Sequence, residues 1–272
     1  MKKFLILLLF PFLVHSEVYD CFLFYNELEL LEMRLNEMND KVDHFVIVEA
    51  AETFRGKPKT LIFKENKERF KKFKEKIIYI PLKKPCITDD PWKREGYQRD
   101  QMIRGLKNCK NDDIILISDV DEIVRSDKIP TTLKKNQFCV FEQTMYVGCL
   151  NRMHGYWKGT VALNYKDLKR IGLKKGRNLR NLNGRTKKKF DAYTLIENGG
   201  WHFSSMGGID RYIKKLESFS HAECDTNEIK NPEAIMANIK ANTLVEIDET
   251  YPKYVIENQE QLKKEGFIEE AQ

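Results

Sequence analysis

The stretch Ile114-Ile115-Leu116-Ile117-Ser118-Asp119-Val120-Asp121-Glu122 decides the fold that we predict for this chain. Four apolar residues, three of them β-branched, lead directly into a segment that carries three acids. An uninterrupted apolar run of this kind is typical of a strand that is buried on both faces, as in the middle of a parallel sheet. In open α/β sheets the ligand crevice lies beyond the carboxyl ends of the strands. The sequence therefore predicts a functional site at Asp119, Asp121 and Glu122.

The acids of this stretch indicate the chemistry of the site. Acids that lie this close together repel one another unless a cation or hydrogen-bond donors compensate their charge. Carboxylate oxygens are ligands that suit Mg²⁺ or Mn²⁺. A polar turn that caps the next helix is the alternative, but the position directly after a buried strand favours a metal–diphosphate site. We expect Asp121 to bind the metal and Asp119 to bind the metal or the ribose of a nucleotide.

Before this stretch, strands and helices alternate along the chain. Apolar patterns predict strands over residues 18–25, 44–48, 77–80 and 114–117, and helices over residues 28–39, 65–76 and 91–108. Alternation of this kind predicts an α/β fold with a mostly parallel central sheet flanked by helices. The second half differs, because residues 138–147 and 159–165 indicate a smaller mixed β-sheet.

Length and composition place the chain among globular proteins. It has 272 residues, of which 42% are hydrophobic and 32% charged, so one α/β domain can bury a sizeable core. We predict one domain over residues 17–272, with residues 224–272 as a helical C-terminal tail. The chain has neither a P-loop nor a dinucleotide-binding glycine motif. We expect no nucleic-acid partner.

The N-terminal residues 1–16 have the pattern of a secretory signal. Lys2 and Lys3 precede an apolar run over residues 4–14, and Ser16 offers a small residue before a cleavage site. A bilayer of about 30 Å requires roughly 20 apolar residues, more than this run provides. We expect cleavage and export through the secretory pathway. An uncleaved anchor is the alternative, and this segment would then provide the membrane contact.

The six cysteines show no C-x-x-C spacing, which argues against a zinc site or thioredoxin-like chemistry. In an exported protein they could form three disulfides, and the sequence leaves the pairing open.

Three further residues are candidates for the site. His202 lies between two aromatic residues, which is typical of a core histidine, but a neutral imidazole is also a good metal ligand beside two carboxylates. Arg99 precedes the acidic stretch and could bind a phosphate, or form a surface ion pair. Glu49 ends the second strand and could bind the base or sugar of the donor, or cap a helix.

Residues 166–189 are strongly basic, with eleven Lys and Arg. The segment is either a solvated, mobile loop or a basic flap over a polyanionic ligand, and the sequence leaves both open.

Five motifs occur in an order that resembles glycosyltransferase family 17. They are Glu49-Ala-Ala-Glu-Thr-Phe-Arg-Gly-Lys-Pro58, Tyr97-Gln-Arg99, Ser118-Asp-Val-Asp-Glu-Ile123, Met145-Tyr-Val-Gly-Cys-Leu-Asn151 and Gly199-Gly-Trp-His-Phe-Ser204. The resemblance covers residues 19–223 and implies a GT-A-like fold, a nucleotide-sugar donor such as UDP-GlcNAc, a glycan or glycoprotein acceptor, and inversion at the anomeric carbon. It places Asp119 and Asp121 on a D-x-D-like motif and His202 on a G-W-H motif.

The expected reaction is attack by an acceptor hydroxyl on the sugar, in line with the departing UDP. A carboxylate would act as general base, and a divalent metal would stabilise the leaving diphosphate. Asp210, at the start of a predicted helix, and Glu142, on a strand of the second half, are the candidate bases. The alternative is a secreted, non-catalytic carbohydrate-binding protein in which Trp92, Trp157 and Trp201 stack on sugars.

Overall fold

The computed structural model describes residues 16–270, so the predicted signal lies outside the described residues except for Ser16. Within this range ten strands form one sheet. In chain order they are β1 (Val18–Leu23), β2 (His44–Ala50), β3 (Ile77–Leu82), β4 (Ile114–Asp119), β5 (Glu122–Val124), β6 (Gln137–Val147), β7 (Arg152–Asn164), β8 (Ala192–Ile196), β9 (Gly200–Ser204) and β10 (Thr243–Leu244).

Helices flank this sheet. The α-helices are α1 (Leu28–Met38), α2 (Ile62–Glu65), α3 (Pro91–Asp100), α4 (Tyr165–Ile171), α5 (Leu173–Asn178), α6 (Ile209–Leu216), α7 (Pro232–Lys240), α8 (Lys253–Glu257) and α9 (Gln259–Lys264). Short 3-10 helices cover Lys67–Phe73, Gln101–Gly105, Ser126–Lys128, Arg185–Lys189 and Ala222–Cys224. Between residues 16 and 270, none of the helices has the length and apolar character needed to cross a membrane.

The first half of the chain forms the parallel part of the sheet. The strands lie in the order β3-β2-β1-β4, and every neighbouring pair is parallel. Side chains alternate between the two faces: in β1, Phe22 packs on the face covered by α1, whereas Cys21 packs on the face covered by α4 and α5. Both faces are buried, which explains the uninterrupted apolar run of β4. The predicted α/β architecture is confirmed.

The second half continues the same sheet. The mixed part that we predicted as a smaller sheet is joined to the parallel part, because β7 pairs antiparallel with β4. The order then runs β4-β7-β6-β9-β5. This pairing covers the edge of β4, which would otherwise expose unpaired backbone groups. It also brings β9 next to β5, the strand that follows the acids.

The helix predicted over residues 65–76 is wrong in type and bounds. The segment forms the short α2 and a 3-10 helix over Lys67–Phe73. Its two buried aromatic residues, Phe70 and Phe73, are three positions apart, the spacing that places side chains above one another in a 3-10 helix.

The C-terminal residues pack against the core. Tyr251, Val255 and Phe267 are buried among the residues that cover the α1 face of the sheet. The backbone N–H of Leu150 donates to the carbonyl of Phe267 at 2.7 Å, which connects this tail to the turn between β6 and β7. The six cysteines are all free thiols.

Candidate functional site

A cleft of about 360 Å³ lies at the carboxyl ends of β1, β2 and β4, within the usual size range of small-molecule sites. Residues from both halves of the chain line it. The acids of the lining are Glu27, Glu52, Glu95, Asp119, Asp121 and Glu122, and the cations are Lys59, Arg99, Arg180 and Lys215. The cleft lies where the sequence predicted it, directly beyond β4.

A buried arginine holds the loop that carries the acids. Arg34 of α1 is fully buried and forms a two-point ion pair with Asp20 of β1, with Nε 2.7 Å from Oδ2. Its guanidinium also donates to the carbonyls of Asp119 at 3.1 Å and Glu122 at 2.7 Å. Because these groups are excluded from water, the hydrogen bonds fix the path of the loop. Arg34 was not predicted from the sequence, although its position between Leu30, Leu31, Leu35 and Met38 places it in the apolar stripe of the helix.

Asp119 is held by two arginines. Its Oδ1 lies 2.8 Å from Arg99 Nη2, and its Oδ2 lies 2.9 Å from Arg177 Nη2. Burial alone would raise the pKa of Asp119, but the two guanidinium groups outweigh it and keep the pKa well below the ordinary value. Arg99 thus forms an ion pair with Asp119, but its side chain is buried rather than at the surface. Both carboxylate oxygens already accept hydrogen bonds from protein groups.

Asp121 faces His202 and a lysine. Its Oδ2 lies 2.9 Å from Lys215 Nζ and 3.6 Å from His202 Nε2. Burial would raise the pKa of Asp121, but Lys215 and His202 lower it further than burial raises it. Nδ1 of His202 is buried and has no hydrogen-bond partner among the described residues.

The pairing of β5 with β9 brings His202 to the acids. Glu122 lies opposite His202 in this antiparallel pair. Gly200 makes the close approach possible, because its φ is +145° and a Cβ there would lie 2.1 Å from the carbonyl oxygen of Ile123. Gly200, two residues before His202, therefore allows β5 and β9 to pack closely enough to bring His202 to the acids.

The fit of a divalent metal depends on Asp121 and His202. Within residues 16–270 no group of three or more His, Cys, Asp or Glu side chains is placed to hold a metal ion. Mg²⁺ and similar ions, however, are often held by one or two protein ligands together with substrate phosphates. The Asp121 carboxylate and the facing imidazole fit that smaller set: Lys215 occupies Oδ2 of Asp121, but Oδ1 accepts no hydrogen bond from the described residues. Asp119 fits it less well, since arginines occupy both of its oxygens.

Glu122 holds neighbouring groups of the site in place through hydrogen bonds. It is buried, and its Oε1 accepts hydrogen bonds from Trp157 Nε1 at 2.8 Å and from Arg177. Its Oε2 accepts from the backbone N–H of Asp119 at 3.1 Å. The third acid of the acidic stretch thus positions its neighbours and a tryptophan.

Glu49 lies behind the wall of the cleft. It is fully buried, and it accepts hydrogen bonds from Tyr79 Oη at 2.8 Å and Lys59 Nζ at 2.9 Å. It does not line the cleft, whereas Lys59 does. Any effect of Glu49 on a ligand would therefore act through Lys59.

The two candidate bases lie away from the cleft lining. Asp210 is exposed in the first turn of α6. Glu142 lies on β6 opposite the exposed Lys158 of β7, and neither acid lines the cleft. Of the three tryptophans, Trp92 and Trp157 line the cleft, but Trp201 is only 5% exposed. The prediction that Trp201 stacks on a sugar is therefore wrong, because its ring is buried in the core.

Glu27 is an acid of the cleft that was not predicted from the sequence. Its Oε2 accepts hydrogen bonds from the backbone N–H groups of Tyr25 and Asn26 at 3.1 and 2.9 Å. Among the described residues, the other acids of the lining each lie within 4.0 Å of a cationic side chain, whereas Glu27 does not. Burial, reinforced by the charge of Asp121, raises the pKa of Glu27.

The basic segment 166–189 is largely helical, with α4, α5 and a 3-10 helix, rather than an open loop. Two of its arginines, Arg177 and Arg180, reach the acids of the cleft. The remaining basic residues are mostly exposed.

Solved structures to which the chain is similar include 4-diphosphocytidyl-2C-methyl-D-erythritol synthase and the inositol-1-phosphate CTP transferase from T. maritima. The first is 13% identical with a TM-score of 0.39, and the match covers 67% of this chain and 88% of that chain. The second is 10% identical with a TM-score of 0.40, and the match covers 85% of this chain and 98% of that chain. Likeness at this level says nothing about the site.

The chain is also similar to the β-1,4-mannosyl-glycoprotein 4-β-N-acetylglucosaminyltransferases of mammals. The protein of Homo sapiens is 32% identical over 112 residues, which cover 38% of this chain and 21% of that protein. The protein of Mus musculus is 31% identical over the same shares. The match therefore spans about a fifth of the length of these relatives.

The model of glycosyltransferase family 17 matches residues 12–251, which is most of the chain and includes every residue of the cleft lining. The resemblance seen in the five sequence motifs is confirmed. The chain belongs to glycosyltransferase family 17.

Proposed function

We propose that this glycosyltransferase transfers N-acetylglucosamine from UDP-GlcNAc to a hydroxyl of a glycan, with inversion at the anomeric carbon. The observation that carries the proposal is the meeting of Asp119, Asp121 and His202 in one cleft beyond β4. The mammalian relatives are N-acetylglucosaminyltransferases, which supports the choice of sugar.

The diphosphate of the donor would lie beside the acidic loop. A divalent cation, Mn²⁺ or Mg²⁺, would be held by Asp121 and His202 and would stabilise the charge that develops on the departing diphosphate. Lys215, 2.9 Å from Asp121, adds a positive charge at the same place. Asp119 and Arg99 hold each other in position, so that the loop and α3 present a fixed wall to the nucleotide.

Glu27 is the acid of the cleft that we favour as general base. In the reaction the acceptor oxygen forms a bond to C1 as the bond from C1 to the diphosphate oxygen breaks, and UDP leaves with that electron pair. The acceptor proton passes to a carboxylate. Glu27 faces the cleft without a cationic partner among the described residues. Asp210 and Glu142 remain the alternatives that the sequence suggested.

Two tryptophans support a carbohydrate ligand. Trp92 is half exposed at the cleft, and Trp157 lies with its ring centroid 5.1 Å from that of His202. Aromatic faces of this kind offer apolar area to the C–H side of a sugar ring, with a polar edge for hydrogen bonds. We assign them to sugar contacts of the donor or the acceptor.

The test is UDP release by the full chain from a panel of UDP-sugars, with and without Mn²⁺ and with a mixture of glycan acceptors. We expect release that depends on Mn²⁺ and is confined to UDP-GlcNAc. The Asp121→Asn variant should lose this turnover, because it weakens the pairing with the cation. Asp127→Asn is the matched control, since Asp127 is exposed and outside the cleft lining.

If UDP is released only from a different UDP-sugar, that sugar is the donor instead of UDP-GlcNAc, and the protein is still a glycosyltransferase. If UDP release is the same with and without a chelator, the reaction needs no divalent cation, and the metal part of the proposal is wrong. If no UDP-sugar turns over under any of these conditions, the proposed donor is wrong.

A further inference from the structure

One arginine of the basic segment lines the cleft and has a buried nitrogen without a hydrogen-bond partner among the described residues. Arg180 follows α5 and lines the cleft. Its Nη1 is buried and has no hydrogen-bond acceptor among the described residues. The nearest acid is Glu122, whose Oε1 lies 3.6 Å from Nη1, beyond hydrogen-bond distance. A buried guanidinium nitrogen without an acceptor is unusual and calls for an explanation.

The Glu122 oxygen that lies nearest to Arg180, Oε1, is already used by two other donors. This oxygen accepts from Trp157 Nε1 and from Arg177, and Oε2 of Glu122 accepts from the backbone of Asp119. Besides Glu122, the guanidinium of Arg177 donates hydrogen bonds to Asp119 and to the carbonyl of Gly159. The neighbouring Arg177 thus takes the acceptors that Arg180 would use.

The surroundings of Arg180 keep it in place despite the missing partner. Its Cζ lies 4.9 Å from the centre of the Trp157 ring, a cation–π distance. Burial and the positive charge of Arg177 lower the pKa of Arg180. The group is therefore oriented by an aromatic face and left short of negative charge.

We propose that Arg180 binds the diphosphate of the nucleotide-sugar donor. The guanidinium fork matches phosphate oxygens in two-point geometry, and an anionic ligand would supply the missing acceptors. Diphosphate is favoured over another anion because Arg180 lies against Glu122, at the end of the same loop that carries Asp119 and Asp121. This inference rests on the proposed function, and it adds a binding residue that no sequence motif identified.

The test compares UDP with uridine by isothermal titration calorimetry on the full chain. Arg180→Gln should weaken UDP binding by about 10- to 100-fold, the range for hydrogen bonds to a charged group, and leave uridine binding unchanged. Arg185→Gln is the matched control: it removes the same charge from an exposed position of the same basic segment. The melting temperature of ligand-free Arg180→Gln should change little, because the variant gives up the cation–π contact with Trp157 but no hydrogen bond of Nη1.

Equal UDP affinity in wild type and Arg180→Gln would overturn the inference and leave the proposed function standing. An equal loss of UDP and uridine affinity, with a lower melting temperature, would assign Arg180 a structural role and also overturn it. If wild type binds no UDP, titration with inorganic pyrophosphate decides: binding that is lost in Arg180→Gln keeps the anion site, and no binding overturns it.

Discussion

Replacement of Arg34 by Met should destabilise the protein more than any surface change. Arg34 is fully buried, and its removal leaves the Asp20 carboxylate without a partner in the core. Removing one member of a buried ion pair costs about 3–5 kcal/mol. Since domains are stable by about 5–15 kcal/mol in total, Arg34→Met should be close to the limit of folding.

A double-mutant cycle separates the ion pair from the loop contacts. Arg34→Met, Asp20→Leu and the double variant are unfolded in urea and followed by circular dichroism. The double variant should lose less stability than the sum of the single variants, because no buried charge is left alone. It should still lose stability, because the carbonyls of Asp119 and Glu122 no longer receive the hydrogen bonds of Arg34, a cost of about 1–3 kcal/mol for each buried acceptor.

Arg69→Met is the control for the loss of an arginine. Arg69 pairs with Glu29 and Glu32 of the same helix α1, but its side chain is 33% exposed, so we expect a loss of at most about 1 kcal/mol. A loss below about 1 kcal/mol for Arg34→Met, or strict additivity in the cycle, would refute the role given to the buried pair.

Four further predictions concern the carboxylates. Glu27→Gln should lower kcat by about 100-fold or more, the usual range for a general base, in steady-state assays. Burial raises the pKa of Glu27 in the folded protein, so the ionised carboxylate lowers the stability of the wild-type protein as the pH rises above the ordinary pKa of about 4.3. Glu27→Gln removes this charge and should therefore melt at a higher temperature than wild type at pH 7. The pKa of Asp121 is lowered by Lys215, against burial, so its stabilising effect is present above about pH 3.9 and is lost as the pH falls; thermal melts of Asp121→Asn should depend less on pH in that acidic range. Asp210→Asn and Glu142→Gln should keep kcat near wild type, because neither acid lines the cleft, and a large loss in either would restore it as the base.

Local patterns were enough to predict the parallel half of the fold. The apolar run before Asp119 indicated a strand buried on both faces. Ligands of open α/β sheets bind beyond the carboxyl ends of the strands, and this located the cleft. The joining of β7 to β4 was not predictable in the same way, because a strand pattern does not name its partner. The same limit applies to the buried Trp201, whose exposure depends on that joined sheet.

The cations of the site were the harder part to predict. Lys215 and Asp121 are 94 residues apart, and Arg177 and Asp119 are 58 apart. Lysines and arginines are frequent in this chain, so nothing in the sequence singled out these two among 47. Arg34 is different, because a charged residue inside an apolar helical stripe is a signal that could have been used. Glu27 carries no such signal, since an acid at a helix start is common.

The most direct test of the account is a crystal structure of the full chain with UDP and Mn²⁺. We predict electron density for the nucleotide in the cleft beyond β4, with its diphosphate between Asp121 and Arg180 and the metal at Asp121 and His202. A nucleotide bound elsewhere, or a diphosphate that contacts neither Asp121 nor Arg180, would contradict the assignment of this cleft as the donor site.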